Sequence, residues 1–174
     1  VQSTVINLDF DVKLIHGDFR VCVDSESCLG TFADEDKFDI IACLGNTWML
    51  LTDPVIALNT LKRIAGLLVE SGGCFVIDNF PSELWPLLTG GFWCSGISED
   101  SSSQLVWDKS DNIFCVRYND DIDYNKCDEF KQGDRLNRLW TMGELCVLAH
   151  EAGLVRPWVD EESHLIWFER SEHI

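Results

Sequence analysis

The stretch Phe38-Asp39-Ile40-Ile41-Ala42-Cys43-Leu44-Gly45-Asn46 constrains this chain more than any other. Its five consecutive apolar residues, Ile40 to Leu44, predict a strand covered on both faces, as in a parallel sheet flanked by helices. Gly45-Asn46 then stops the strand in a small, polar turn. In open α/β sheets ligands bind at the carboxyl ends of the strands. The turn is therefore the first place to expect a small-molecule site.

The residues after the turn support a strand–helix–strand unit. Asp53-Pro54 has the form of an N-cap and first helical residue. Apolar residues at Val55, Ala57, Leu58, Leu61, Ile64, Ala65 and Leu68 then recur at helical spacing, and Gly72-Gly73 is expected to close the helix. Cys74-Phe75-Val76-Ile77-Asp78 predicts a second buried strand ending in Asp78-Asn79. Two strands joined through a helix at this separation imply a right-handed parallel crossover.

Upstream, Val12 to Ile15 predicts a strand leading into His16-Gly17-Asp18-Phe19, and Ser25 to Lys37 a polar loop with a short helix. Downstream, Pro81 to Leu88 predicts a short helix and Gly90 to Ser103 a mobile Gly/Ser-rich stretch. Gln104 to Trp107 and Ile113 to Tyr118 alternate around Lys109-Ser110-Asp111-Asn112, which predicts a hairpin. Asn119 to Arg135 reads as a loop. Thr141 and Glu144 form a capping-box pattern opening a helix over Met142 to Ala152, ended by Gly153. Val155 to Val159 and His164 to Phe168 predict a closing pair of strands. The whole chain, 1–174, reads as one domain, with 90–135 as a lid or hairpin insertion.

Composition narrows the partners. A net charge of −17 disfavours nucleic acid and anionic membrane, because phosphate binding needs clustered Lys and Arg. No apolar run approaches the ~20 residues of a membrane span. The chain opens at Val1 without a signal-peptide pattern, which reads as a processed or partial polypeptide. Its eight cysteines include no Cys-x-x-Cys pair and no zinc-ligand spacing, so no metal is expected. Cys43, Cys74, Cys115 and Cys146 fall in apolar runs and read as reduced core residues of a cytoplasmic or other reducing compartment.

Taken in order, Gly17-Asp18-Phe19 after a strand, Cys43-Leu44-Gly45-Asn46 before a helix, and Gly72-Gly73-Cys74-Phe75-Val76-Ile77-Asp78 resemble the later half of class I S-adenosylmethionine-dependent methyltransferases. Within that class the pattern is similar to the glycine and sarcosine N-methyltransferases. Met142-Gly143-Glu144-Leu145 and Ala149-His150-Glu151-Ala152-Gly153-Leu154 resemble the last helix before the closing antiparallel strands. The resemblance implies an α/β fold: a partial Rossmann-like methyltransferase sheet of parallel strands with a crossover helix, closed by antiparallel strands.

The resemblance also implies roles. S-adenosylmethionine is the implied cofactor. Asp18 and Phe19 would meet its adenine, Leu44, Gly45 and Asn46 would line its methionine side, and Trp48 would face the sulfonium. Asn46, Asp78 and Asn79 would orient a small-molecule acceptor. Each has a structural alternative: Asp18 capping its own turn, Trp48 filling the core, and Asn46 bonding its own turn. The family's Gly-rich loop and the acid closing its second strand have no counterpart here, since no Gly-x-Gly-x-Gly occurs. Asn79-Phe80-Pro81 stands where the glycine-methylating enzymes carry a carboxylate-binding arginine, and Leu50 where they carry a histidine.

Two functions are compatible with these residues. One is methyl transfer to the nitrogen or oxygen of a small acceptor, with a complementary N-terminal segment or partner chain supplying the missing strands. The other is a catalytically inactive methyltransferase-like scaffold subunit, for which Trp85, Trp93 and Trp140 would suit interface anchors, although burial in the core is the more ordinary role of such residues. A different doubly wound ligand-binding domain ranks below both. A dinucleotide oxidoreductase is disfavoured by the lack of a Gly-rich fingerprint.

Overall fold

The computed structural model describes residues 15–20, 29–79, 81–82, 96–108, 110–125 and 129–170. The expected strand at Val12 to Ile15 and the helix at Pro81 to Leu88 lie almost wholly outside them, as do Trp85 and Trp93. The central unit is a parallel crossover: β1 (Ile40–Cys43), α1 (Pro54–Leu67) and β2 (Cys74–Ile77), with Ile40 opposite Cys74 and Cys43 opposite Ile77. Asp53 caps α1, its carboxylate accepting from the Val55 amide at 2.7 Å and the Ile56 amide at 3.4 Å.

The helix does not run to Gly72-Gly73. It stops at Leu67 because Leu68 turns extended and forms a parallel bridge with Phe38, fixed by Phe38 N–H to Leu67 O (2.9 Å) and Val69 N–H to Phe38 O (3.0 Å). Gly73 serves close packing instead. A Cβ there would lie 2.5 Å from the Val69 carbonyl oxygen, so only glycine lets the chain pass into β2.

Further along, β3 (Ser103–Asp108) and β4 (Ile113–Tyr118) form the expected hairpin, with Asp108 opposite Ile113. A strand of two residues, β5 (Asn137–Arg138), adds to β4 and completes a separate antiparallel sheet. Next come α2 (Met142–Glu151), opened by the Thr141–Glu144 capping box, and the antiparallel pair β6 (Trp158–Val159) and β7 (Ile166–Glu169). β7 adds antiparallel to β2, giving the main sheet the order β1-β2-β7-β6. The fold is α/β with a mixed sheet, as the Rossmann-like expectation requires at its coarse level.

Phe75 and Ile77 on β2 pair with Phe168 and Ile166 on β7, and all four are fully buried in one cluster with residues of α1 and α2. Burial on this scale supplies most of the stabilisation. Trp140 belongs to the same cluster at 2% exposure, so of the two readings of the loop tryptophans, buried core or interface anchor, it takes the first. A second cluster joins Met49, Leu105, Phe114 and Leu139 beneath β3 and β4.

β1 departs from expectation. Ile41 and Cys43 pack toward the core, while Ile40 is 59% and Leu44 54% exposed. Among the described residues no strand pairs with its outer edge. The run is apolar enough for cover on both faces, and among the described residues it has it on one.

The second sheet is pinned by a buried ion pair. Arg117 Nη2 meets Asp134 Oδ2 at 2.7 Å, with side chains 3% and 4% exposed, and Lys131 N–H adds a bond to the same oxygen. The Arg117 guanidinium, aided by that amide, holds the Asp134 carboxyl at about 2, while burial opposes them. A depressed folded value stabilises above the unfolded pKa of ~3.9 and loses that contribution as pH falls toward the folded one. Urea unfolding should therefore show about 2 kcal/mol lost through this group between roughly pH 5 and pH 2. Asp134→Asn should flatten that slope; an unchanged slope contradicts the assignment. Asp53→Ala should cost about 1 kcal/mol in neutral-pH urea unfolding, through loss of the α1 cap.

Candidate functional site

The carboxyl ends of β1 and β2 are tied together by one side chain. Asp78, just past β2, accepts Gly45 N–H on Oδ2 at 2.5 Å and Asn46 N–H on Oδ1 at 3.0 Å. Both turn residues are left-handed, with φ of +76° at Gly45 and +56° at Asn46, and their successive N–H groups converge on the one carboxylate. Glycine and asparagine are the residue types that adopt this conformation at least cost. The Thr47 hydroxyl closes the turn by donating to Leu44 O at 2.6 Å. Asp78 thus shapes the loop at the strand end, and both its oxygens are engaged by backbone.

Beyond the turn, a 3-10 segment over Thr47–Leu50 sends Trp48 into the main core and Met49 into the second cluster. Trp48 has no exposed surface and meets Phe75 edge-on at 5.5 Å between ring centroids. It supports the site from beneath, as a core residue does. Asn79, 3% exposed, reaches Asn46 Oδ1 through Nδ2 at 3.4 Å. Its own Oδ1 is buried with no hydrogen-bond partner among the described residues. A buried acceptor left open costs free energy unless a ligand or water satisfies it.

Two cavities adjoin these residues. The first, about 320 Å³, is walled by Phe19, Leu29, Ile41, Cys43, Leu44 and Trp48. The second, about 670 Å³, runs from His16, Asp18, Phe19 and Arg20 across Leu50 and Thr52 to Asp134, Arg135 and Leu136. Gly17 and Phe19 line both. Phe19, Leu44 and Trp48 therefore converge on one cavity, Asp18 lies in its neighbour, and Gly45, Asn46, Asp78 and Asn79 form the polar ridge at the strand ends.

Asp18 is not a free acceptor. Arg20 donates to it from Nε at 2.9 Å and Nη2 at 2.6 Å, and from its backbone amide at 2.9 Å. These bonds, the side-chain ones foremost, hold the Asp18 carboxyl below its ordinary range. An adenine amino group would have to displace or share them. Arg20 escaped the sequence reading, although its position two residues after Asp18 suits such a turn. Arg135 and Leu136 also escaped it, because only the second sheet brings them beside Asp18.

Cys43, Cys74, Cys115 and Cys146 form no disulfide, and burial, with the nearby Asp134 carboxylate, pushes the Cys115 thiol up to about 11. Among the described residues no cluster of three or more His, Cys, Asp or Glu could hold a metal ion, and no helix is long and apolar enough to cross a membrane.

No protein-family model matches the sequence, and neither does any curated protein. Solved structures do match. CalS10, an amino pentose methyltransferase from Micromonospora echinaspora solved with S-adenosylmethionine bound, aligns over 89% of this chain at 15% identity with a TM-score of 0.51. The CcbJ methyltransferase from Streptomyces caelestis aligns over 89% at 14% identity and 0.51. DesVI from Streptomyces venezuelae aligns over 89% at 17% identity and 0.51. At these identities the likeness establishes the fold, which is that of class I methyltransferases. The chain spans 63% of CalS10, 62% of CcbJ and 63% of DesVI, less than two thirds of each.

The Asp78 clamp can be checked directly. Asp78→Ala should abolish hydrogen-exchange protection at the Gly45 and Asn46 amides and destabilise the chain by about 1.5 kcal/mol. Retained protection at both amides would show that the turn holds itself.

Proposed function

We propose that this chain forms the acceptor-side part of an S-adenosylmethionine-dependent methyltransferase acting on a small molecule. What carries the proposal is the left-handed Gly45-Asn46 turn, clamped by Asp78 at the β1 carboxyl end, beside the cavity of Phe19 and Leu44. The class I methyltransferase fold supports it, since ligands of such sheets sit at that edge. In this proposal Leu44, Gly45 and Asn46 line the methionine end of the cofactor, Phe19 contacts the adenine, and Trp48 backs the cavity. Asp18 serves the adenine through the ion pair it makes with Arg20. The cofactor supplies an activated methyl group when bound.

Displacement at a sulfonium carbon depends on alignment and on excluding water more than on a strong base. Asn46 and the buried, open Oδ1 of Asn79 are suited to accept a hydrogen bond from the acceptor's N–H or O–H and so aim its lone pair. Asp78 acts one step back by holding Asn46. The specificity of the glycine and sarcosine enzymes does not extend to this chain, because the arginine they use is replaced by Asn79-Phe80-Pro81. The 90–135 region, with its hairpin, would act as a lid over the acceptor. A complementary segment, on the same polypeptide or a partner, would pair with the open edge of β1 and bring the Gly-rich loop.

The scaffold alternative draws on a specific observation, the engagement of Asp18 by Arg20, which leaves no carboxylate waiting for adenine. Isothermal titration with S-adenosylmethionine separates the two. It should be run on this chain alone and on the chain joined to a segment carrying the first two strands and Gly-rich loop. Binding by the joined form, weakened at least tenfold by Gly45→Val, is the expected result. No binding in either form favours the scaffold.

A further inference from the structure

The larger cavity is charged unlike the rest of the molecule. The chain carries 30 acidic and 13 basic side chains, yet both acids in this cavity's wall are already neutralised. Asp18 is held by Arg20 at 2.6 Å and Asp134 by Arg117 at 2.7 Å. Arg135, in the same wall, has a guanidinium with no hydrogen-bond or ion-pair partner among the described residues. The cavity thus presents uncompensated positive charge.

An exposed arginine is ordinarily just solvated, so its mount matters. Asp134, the preceding residue, accepts Arg117 Nε at 3.0 Å, Arg117 Nη2 at 2.7 Å and Lys131 N–H at 2.8 Å. Arg117 is 4% exposed and also donates to Gln104 Oε1 at 3.1 Å within the second sheet. Gly133 supplies the turn with φ of +97°. The loop is therefore fixed from inside the sheet, and Arg135 stands on a stiff support beside a cavity of about 670 Å³. A planar guanidinium held this way suits a carboxylate or phosphate, which it binds through two parallel hydrogen bonds.

We propose that Arg135 anchors an anionic group of the ligand in this cavity, so that the methyl acceptor bears a carboxylate or phosphate. That the ligand is the methyl acceptor rests on the proposed function; that the cavity binds an anion does not. A chain of net charge −17 repels anions at long range, so retention of one in this cavity would rest on the local guanidinium of Arg135.

The test is titration of the full chain with sodium pyrophosphate and, separately, sodium acetate, followed through the arginine Nε–Hε NMR signals. The Arg135 signal should shift and saturate with at least one of them, and which anion binds more tightly identifies the group. Arg135→Gln should weaken that binding about tenfold or more, while Arg156→Gln, at an exposed arginine outside the cavity, should leave it unchanged. Equal binding by Arg135→Gln, equal losses in both variants, or no shift at the Arg135 signal with either anion would overturn the proposal. A parallel S-adenosylmethionine titration of the joined form separates the two claims. If the cofactor fails to bind while the anion still binds through Arg135, the methyltransferase proposal falls and the anion site stands.

Discussion

One carboxylate holding two consecutive backbone amides is the constraint on which the rest of this structure depends. Asp78 fixes Gly45 and Asn46 in left-handed conformations at the point where β1 ends. The direction of that turn decides where the next residues go. Trp48 enters the main core and Met49 the core of the second sheet, so one short 3-10 segment joins both hydrophobic clusters. Arg138 reinforces the junction by donating to Thr52 O and pairing with Glu144 in the α2 capping box. Loss of the turn would loosen the strand ends and the seating of the second sheet together.

The same constraint explains why the candidate site is polar at its rim and apolar beneath. With β1 and β2 bound at their carboxyl ends, Leu44 faces outward into one cavity while Asn46 and Asn79 face each other across the strand tips. The second sheet brings Arg135 to the neighbouring cavity from more than a hundred residues downstream of Asp18. In the proposed methyl-transfer reading, the apolar wall would desolvate the reacting centre and the charged one would orient the acceptor.

Legibility in the sequence followed the range of the interaction. Asp53-Pro54 and the Thr141–Glu144 box announced helix starts because caps act within four residues, and both caps form. The hairpin was legible for the same reason. The end of α1 was not, because Leu68 is drawn out of the helix by Phe38, a partner far away in the chain. An apolar run such as Ile40–Leu44 states what a strand could bury, not whether a neighbour is there to bury it. β5 is too short to leave a pattern. Trp140, placed in a loop by sequence, is core because Arg138 stacks over its ring at 4.7 Å and α2 packs against it. Of the candidate site, Phe19, Leu44 and Trp48 line one cavity, whereas the hold of Arg20 on Asp18 and of Asp78 on the turn are specific pairings that composition and spacing leave undetermined.

The most direct test of the central claim is amide and indole NMR mapping of S-adenosylhomocysteine binding to the chain joined with a complementary first half. The account predicts that perturbations concentrate at Phe19, Leu44, Gly45 and Asn46, with smaller shifts at the Trp48 indole. Saturable binding whose perturbations avoid the Gly45-Asn46 turn would contradict it.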